Sequence, residues 1–179
     1  MLPESSASTP TNRAPGSPMN NISAILPIEH VLIGLDVGSK KRLFEQVGLL
    51  FENSRHIARA KVFDSLFDRE KLGSTGLGHG VAIPHGRIKG LKDTLCAFVK
   101  TQAGIPFESP DGKPVRLVFA MLVPEHATEQ HLQILSELAQ MFSDEQLRDA
   151  LLATDDLQIA HRLLTEWSPY AASQRSAAL

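Results

Sequence analysis

Gly76-Leu77-Gly78-His79-Gly80-Val81-Ala82-Ile83-Pro84-His85-Gly86 places four glycines and a proline within eleven residues of His85. Glycines at Gly76, Gly78 and Gly80 let successive N–H groups turn toward one point, as anion-binding backbone does. Pro84 fixes its own φ and biases Ile83 to an extended shape, so the imidazole that follows is held in one orientation. A stiffly held imidazole beside backbone that can approach an anion suits a histidine that accepts a phosphoryl group. The alternative, a tight helix-to-strand connection with no chemistry, suits an isolated histidine better than one so surrounded.

Two commoner phosphate motifs nearly match and fail. Gly73 and Gly78 have the P-loop spacing, but His79-Gly80 follow where Lys and Ser/Thr are required. Gly76 and Gly78 open a dinucleotide fingerprint, but Val81 stands where the third glycine belongs, and the segment leads into a strand instead of a helix.

The elements that must position this segment alternate. Val31–Leu35 reads as a strand, and Ser39–Glu52 as a helix with Leu43, Phe44, Val47, Leu50 and Phe51 on one face. Asp36 or Ser39 is its expected cap. A second helix is expected over Ser54–Lys71, burying Ile57, Ala60, Phe63, Leu66 and Phe67 and stopping at Gly73. Val81–Ile83, Thr94–Lys100 and Val115–Val123 read as strands. The last is almost wholly apolar, as a central strand covered on both faces is, and Asp111-Gly112 marks the turn before it. Thr128–Phe142 has a helical apolar stripe. Ser143 to Gln146 reads as a capping box with Ser143 as N-cap, and Thr154-Asp155-Asp156 caps one more helix. Strands interleaved with helices predict an α/β fold, a mixed β-sheet flanked by helices in a single domain.

The composition sets bounds on function. The chain has 179 residues, 42% hydrophobic and 21% charged, with a net charge of -2. That length allows one domain with a real core, and the charge argues against a nucleic-acid partner. Cys96 is the sole cysteine and is expected to be buried. No apolar run approaches the roughly 20 residues of a membrane span and the N-terminus lacks a signal-peptide pattern, so the expected location is cytoplasmic, without membrane insertion. Residues 1–20 are poor in apolar side chains and are expected to be a disordered extension, with Met19 as an alternative start; residues 21–169 form the domain and 170–179 a frayed tail.

The segment from Gly73 to Gly86 resembles the active-site signature of enzyme IIA proteins of the bacterial phosphoenolpyruvate phosphotransferase system, fructose–mannitol type. Leu35-Asp36-Val37-Gly38-Ser39-Lys40-Lys41-Arg42-Leu43-Phe44-Glu45-Gln46 is similar to the nitrogen-regulatory branch of that family. The likeness runs from about residue 22 to about residue 167. It implies the mannitol-type IIA fold. It implies that His85 carries phosphate on Nε2 (a tele-phosphohistidine), taken from a small HPr-like phosphocarrier protein, with no cofactor and no metal. It implies further that the chain stands alone as a regulator, its phosphorylation state being the signal to targets such as a sensor kinase or a potassium transporter. The alternative within the family is a sugar-specific component that passes phosphate to a separate IIB protein.

Transfer between two histidines requires in-line placement and positive potential around the phosphoryl oxygens. His85 must be neutral at the attacking nitrogen, with its other ring nitrogen donating to a carbonyl or carboxylate. His131 takes the family's second histidine position and is expected to donate an N–H to the phosphoryl group; from spacing alone it reads first as a half-buried residue in the opening turn of an amphipathic helix. Arg69 matches the family's arginine and can grip two oxygens; alone it also fits an exposed helix-end cation. Gly76, Gly78 and Gly80 are further phosphate-binding candidates, with Ser74 and Thr75. Arg87 reads as a solvated loop charge. Leu77, Val81, Ile88 and Leu91 fit either an apolar docking rim or the core.

Readings from other classes fare worse. A zinc hydrolase would use several of His79, His85, His126 and His131, but no recognised ligand spacing is present, and His126 and His131 do not share a helical face. Asp36-Val37-Gly38 also suggests an Mg²⁺-dependent nuclease or ATPase fold, yet the pattern after it turns helical at once. A pure binding module is compatible with a phosphate-operated switch.

Overall fold

The computed structural model describes residues 20–126, 129–169 and 172. The expected N-terminal extension and frayed tail therefore lie outside the described residues, apart from Asn20 and Ala172. Asn20 belongs with the domain: its side chain accepts from Ser23 N and donates to the carbonyls of Leu164 and Trp167.

The chain runs β1 (Val31–Leu35), α1 (Lys40–Arg55), α2 (Arg59–Lys71), β2 (Gly76–Gly78), β3 (Val81–Ala82), β4 (His85–Ile88), β5 (Leu95–Ile105), β6 (Val115–Pro124), α3 (Glu129–Phe142), α4 (Glu145–Ala153) and α5 (Leu157–Thr165). The strands lie in the order β1-β5-β6-β3-β2, with β4 pairing β6 further along. β5 and β6 are antiparallel, β1 is parallel to β5, and β3 and β4 are both parallel to β6. The predicted mixed sheet flanked by helices is the observed one.

β6 is central because both of its faces are apolar. Leu117, Phe119, Met121 and Val123 point into a core closed by α3, α4 and α5, while Val118, Ala120 and Leu122 point into a second core closed by α1 and α2. Burial of each large side chain here contributes about 1.5–3 kcal/mol, which no edge position would provide. β3 and β4 follow β6 in one register on either side of Ile83-Pro84, with Ala82 opposite Val118 and His85 opposite Met121. Pro84 has no N–H to give β6, although its carbonyl still accepts Met121 N at 2.9 Å; the Ile83 N–H faces the other edge and extends the β2–β3 pairing to the Thr75 carbonyl, 3.0 Å distant.

Several expected boundaries move. α1 starts after Ser39, whose hydroxyl accepts from Arg42 N, but runs past Glu52 to Arg55 and ends at His56 in the left-handed region. α2 starts at Arg59, not Ser54, because its cap comes from another helix: Glu52 Oε2 accepts the Arg59 N–H at 2.8 Å and Oε1 pairs with its guanidinium. Ala60 is consequently exposed, not buried. β5 continues past Lys100 to Ile105, which pairs Val115 beyond a register shift. The expected capping box is absent: Asp144 caps α4 by accepting from Gln146 N, while the Ser143 hydroxyl donates to Ala139 at the end of α3.

A buried lysine closes the other end of α4. Lys100, 2% exposed, leaves β5 on the α4 face and donates from Nζ to the carbonyls of Leu151, Leu152 and Thr154. These are the orphan acceptors of the helix C-terminus, where a cation is also favoured by the helix dipole. Among the described residues no helix is long and apolar enough to cross a membrane.

Candidate functional site

His85 is the first residue of β4, not part of a loop, and is half-buried. Its strand can sit where it does because Gly86 has no side chain: a Cβ there would come within 2.1 Å of Ser65 Oγ and 2.8 Å of the Ser65 carbonyl carbon. α2 thus rests directly on β4, and Ser65 Oγ donates to the Arg87 carbonyl at 2.8 Å.

The His85 Nδ1 lies 2.9 Å from the Ile83 carbonyl. A carbonyl oxygen only accepts, so Nδ1 carries the hydrogen, and in the neutral ring Nε2 keeps its lone pair. The pKa of His85 lies below 6.5. Burial is the main cause; the Ile83 hydrogen bond opposes it, the charge of Arg69 reinforces it, and Glu70 opposes it weakly. The neutral ring therefore presents its lone pair on Nε2.

His131 stands in the first turn of α3, 8% exposed. The two ring centroids are 5.5 Å apart with the planes inclined at 52°. Burial, with help from His85 and Arg87, also holds the pKa of His131 below 6.5. Its Nδ1 has no hydrogen-bond partner among the described residues, a costly state for a buried polar atom.

Arg69, in the last turn of α2, is close enough for its charge to act on His85, and its Nη1 donates to the Gly73 carbonyl. Arg87 lies near the same histidine pair. It stands two residues after His85 on β4, hence on the same side of the strand. Its field reaches His131, and it is tethered by a bond to the Glu125 carbonyl. Reading the segment as a loop hid this relation; period-two spacing from His85 was the available signal.

The remaining candidates are engaged in internal contacts. Ser74 Oγ donates to Phe107 O and accepts Gly76 N. Thr75 gives both its N–H and its hydroxyl to the Glu70 carboxylate. Gly76 is packed against Ser109, which a Cβ would strike at 2.3 Å. Gly78 ends β2, and His79-Gly80 form the two-residue turn into β3, both with positive φ (57° and 78°), the signature of a type I′ hairpin. Asp111 Oδ2 holds the strained His79 by its N–H at 2.8 Å.

Of the expected rim, Val81 and Ile88 are core and Leu91 is partly buried against it, whereas Leu77 is exposed. Leu132, next to His131 in sequence, is 64% exposed. Among the described residues no three His, Cys, Asp or Glu side chains gather as a metal site would require.

Residues 24–167 match the phosphoenolpyruvate-dependent sugar phosphotransferase system EIIA 2 family. The chain belongs to this family. It is 36% identical over 149 residues to the nitrogen regulatory protein of Pseudomonas aeruginosa, a match that covers 83% of this chain and 97% of the relative. It is 33% identical to the fructose-specific EIIA component of Haloferax volcanii, with the same shares covered. The crystal structure of nitrogen regulatory protein IIA-Ntr from Neisseria meningitidis superposes with a TM-score of 0.77 at 51% identity, covering 80% of this chain and 99% of that one. The IIA mannitol protein of Escherichia coli superposes at 0.66 with 25% identity, covering 77% and 97%. The expected mannitol-type fold is thereby established for this EIIA 2 chain, and the motif around His85 lies within the matched region.

Proposed function

We propose that this EIIA 2 protein accepts a phosphoryl group on Nε2 of His85 from a histidine-phosphorylated, HPr-like carrier protein, and that its phosphorylation state regulates partner proteins. The observation that carries the reading is the single hydrogen bond from His85 Nδ1 to the Ile83 carbonyl, which leaves Nε2 as the free nucleophile of a neutral ring. The donor's phosphorus–nitrogen bond breaks as the bond to Nε2 forms. His131 stands close enough to offer an N–H to the same group, and Arg69 and Arg87 supply positive potential for its oxygens. Ser74, Thr75, Gly76, Gly78 and Gly80 contribute by shaping the segment. No metal or cofactor enters the step.

Likeness to proteins named nitrogen regulatory favours a regulatory role; targets such as a sensor kinase or a potassium transporter are part of the proposal alone. A cytoplasmic location is part of the same proposal. A second reading, a sugar-specific component that hands phosphate to a IIB protein, draws on the fructose-specific relative. Incubation with phosphoenolpyruvate, the first enzyme of the system and the carrier, followed by intact mass and peptide mapping, tests the proposal. One added phosphoryl group at His85 is expected, and no uptake overturns it. Onward transfer to a IIB cysteine would select the second reading.

A further inference from the structure

Glu70 is a carboxylate in the last turn of α2, 7% exposed. Its Oε1 accepts the Thr75 N–H at 3.0 Å and meets Lys40 Nζ at 2.9 Å; its Oε2 accepts the Thr75 hydroxyl at 2.6 Å. Lys40, from the first turn of α1, lies over the Phe107 ring, 4.7 Å from its centroid. A buried ion pair is poor value as a source of stability, since desolvation offsets most of the attraction. Its geometry here serves a different end.

The bonds continue beyond Thr75. The Thr75 carbonyl accepts the Ile83 N–H at 3.0 Å, one rung beyond the Gly76–Ala82 pair of the β2–β3 hairpin. The Ile83 carbonyl in turn accepts from His85 Nδ1 at 2.9 Å. An unbroken series of contacts thus leads from α1, through the end of α2 and the glycine segment, to the imidazole. We infer that Lys40, Glu70 and Thr75 form a positioning unit that sets the orientation and the tautomer of the His85 ring.

Glu70 clamps Thr75 at two points, on the backbone and on the side chain, so the residue can neither rotate nor slide. Its carbonyl then anchors Ile83, whose own carbonyl selects Nδ1–H over Nε2–H. An Nε2–H tautomer would have no lone pair on the attacking atom. None of the three residues is shown touching the ring, so apart from the weak field of Glu70 their action is on geometry. The consequence for phosphoryl transfer rests on the function proposed above; the consequence for the tautomer does not.

The test uses the full chain with ¹⁵N-labelled histidine. Ring nitrogen shifts of the unphosphorylated protein report the His85 tautomer, with His131 as internal reference. Glu70→Gln keeps the size of the side chain but loses its charge and one of its two acceptors. Thr75→Val removes the hydroxyl, and Thr75→Ser restores it. Glu70→Gln and Thr75→Val are expected to raise a measurable Nε2–H population at His85 and to lower kcat for phosphoryl acceptance about tenfold, with KM for the carrier unchanged. Thr75→Ser is expected to return both to the wild-type values. Should Glu70→Gln not fold, Thr75→Val decides alone. Folded variants with His85 wholly Nδ1–H and a wild-type kcat would overturn the inference. A tautomer shift in a protein whose wild type takes up no phosphoryl group would uphold the positioning unit and discard the proposed function.

Discussion

His85 and His131 face each other across 5.5 Å between ring centroids, one from strand β4 and the other from the first turn of α3. At that spacing both rings reach one tetrahedral group placed at their mouth. Burial is the leading cause of lowered basicity in both, so the pair avoids the repulsion that two imidazolium rings would suffer. One ring can attack while the other donates.

Replacing the nucleophile separates chemistry from folding. His85 is half-buried and, among the described residues, makes one side-chain hydrogen bond. His85→Ala is expected to abolish phosphoryl uptake in the intact-mass assay while circular dichroism shows a folded domain. Equal uptake by the variant and the wild type would remove His85 from its role.

Replacing His131 tests the second ring. Loss of a preorganised donor to a charged transition state costs on the order of 100-fold in rate. His131→Ala is expected to slow transfer by about that factor, or to shorten the lifetime of the phosphorylated form. Unchanged values of both would return His131 to a structural role.

Acid should weaken the fold through three histidines. His30 is fully buried between the Cys96 carbonyl and Ser54 Oγ, and burial lowers its pKa as it lowers those of His85 and His131. As pH falls through 6.5 the unfolded chain takes up these protons first, and the folded chain takes them up only at lower pH. Between those limits the unfolded state binds more protons, so stability falls with falling pH. Urea midpoints should be level above about pH 7 and decline from about 6.5 downward. Phosphoryl uptake at pH 6.5 should stay above half of its neutral-pH rate, because more than half of His85 is neutral there; a loss of half the rate or more at 6.5 would contradict the lowered pKa.

Lys100→Met should destabilise the protein by about 2–3 kcal/mol, read by urea unfolding, since the carbonyls that end α4 lose their donor in a poorly hydrated place. A change under half a kilocalorie would mean that water replaces the ammonium freely.

His79→Asn should act in the opposite direction. His79 holds φ at 57° in the turn between β2 and β3, a conformation that asparagine adopts more readily. A gain of about 0.5 kcal/mol is expected, visible as a higher melting temperature.

What was legible in the sequence follows from how local its causes are. β6 could be read because its apolar run records burial on both faces directly. The glycine–histidine segment could be read because proline and glycine act on their own backbone. β4 could not: His85-Gly86-Arg87-Ile88 has no alternating apolar pattern, and its extended shape is imposed by pairing with β6. The start of α2 was hidden because its cap, Glu52, comes from the preceding helix. Glu70 and Lys100 are the deeper misses. A charged residue ordinarily signals a solvated face, and each is buried only because the fold brings partners to it: Lys40 from α1 and the nearby Thr75 for one, the end of α4 for the other. Arg87 was placed in a loop for the same reason that its strand went unread, though its side chain is exposed as expected.

The contact between Gly86 and Ser65 gives a residue with no side chain control over electrostatics. Helix α2 carries Arg69 near its far end and is seated on the backbone of β4. A methyl group added at position 86 would lever the helix outward and take the guanidinium with it. The reactive ring would lose a positive neighbour although no charged residue had been altered.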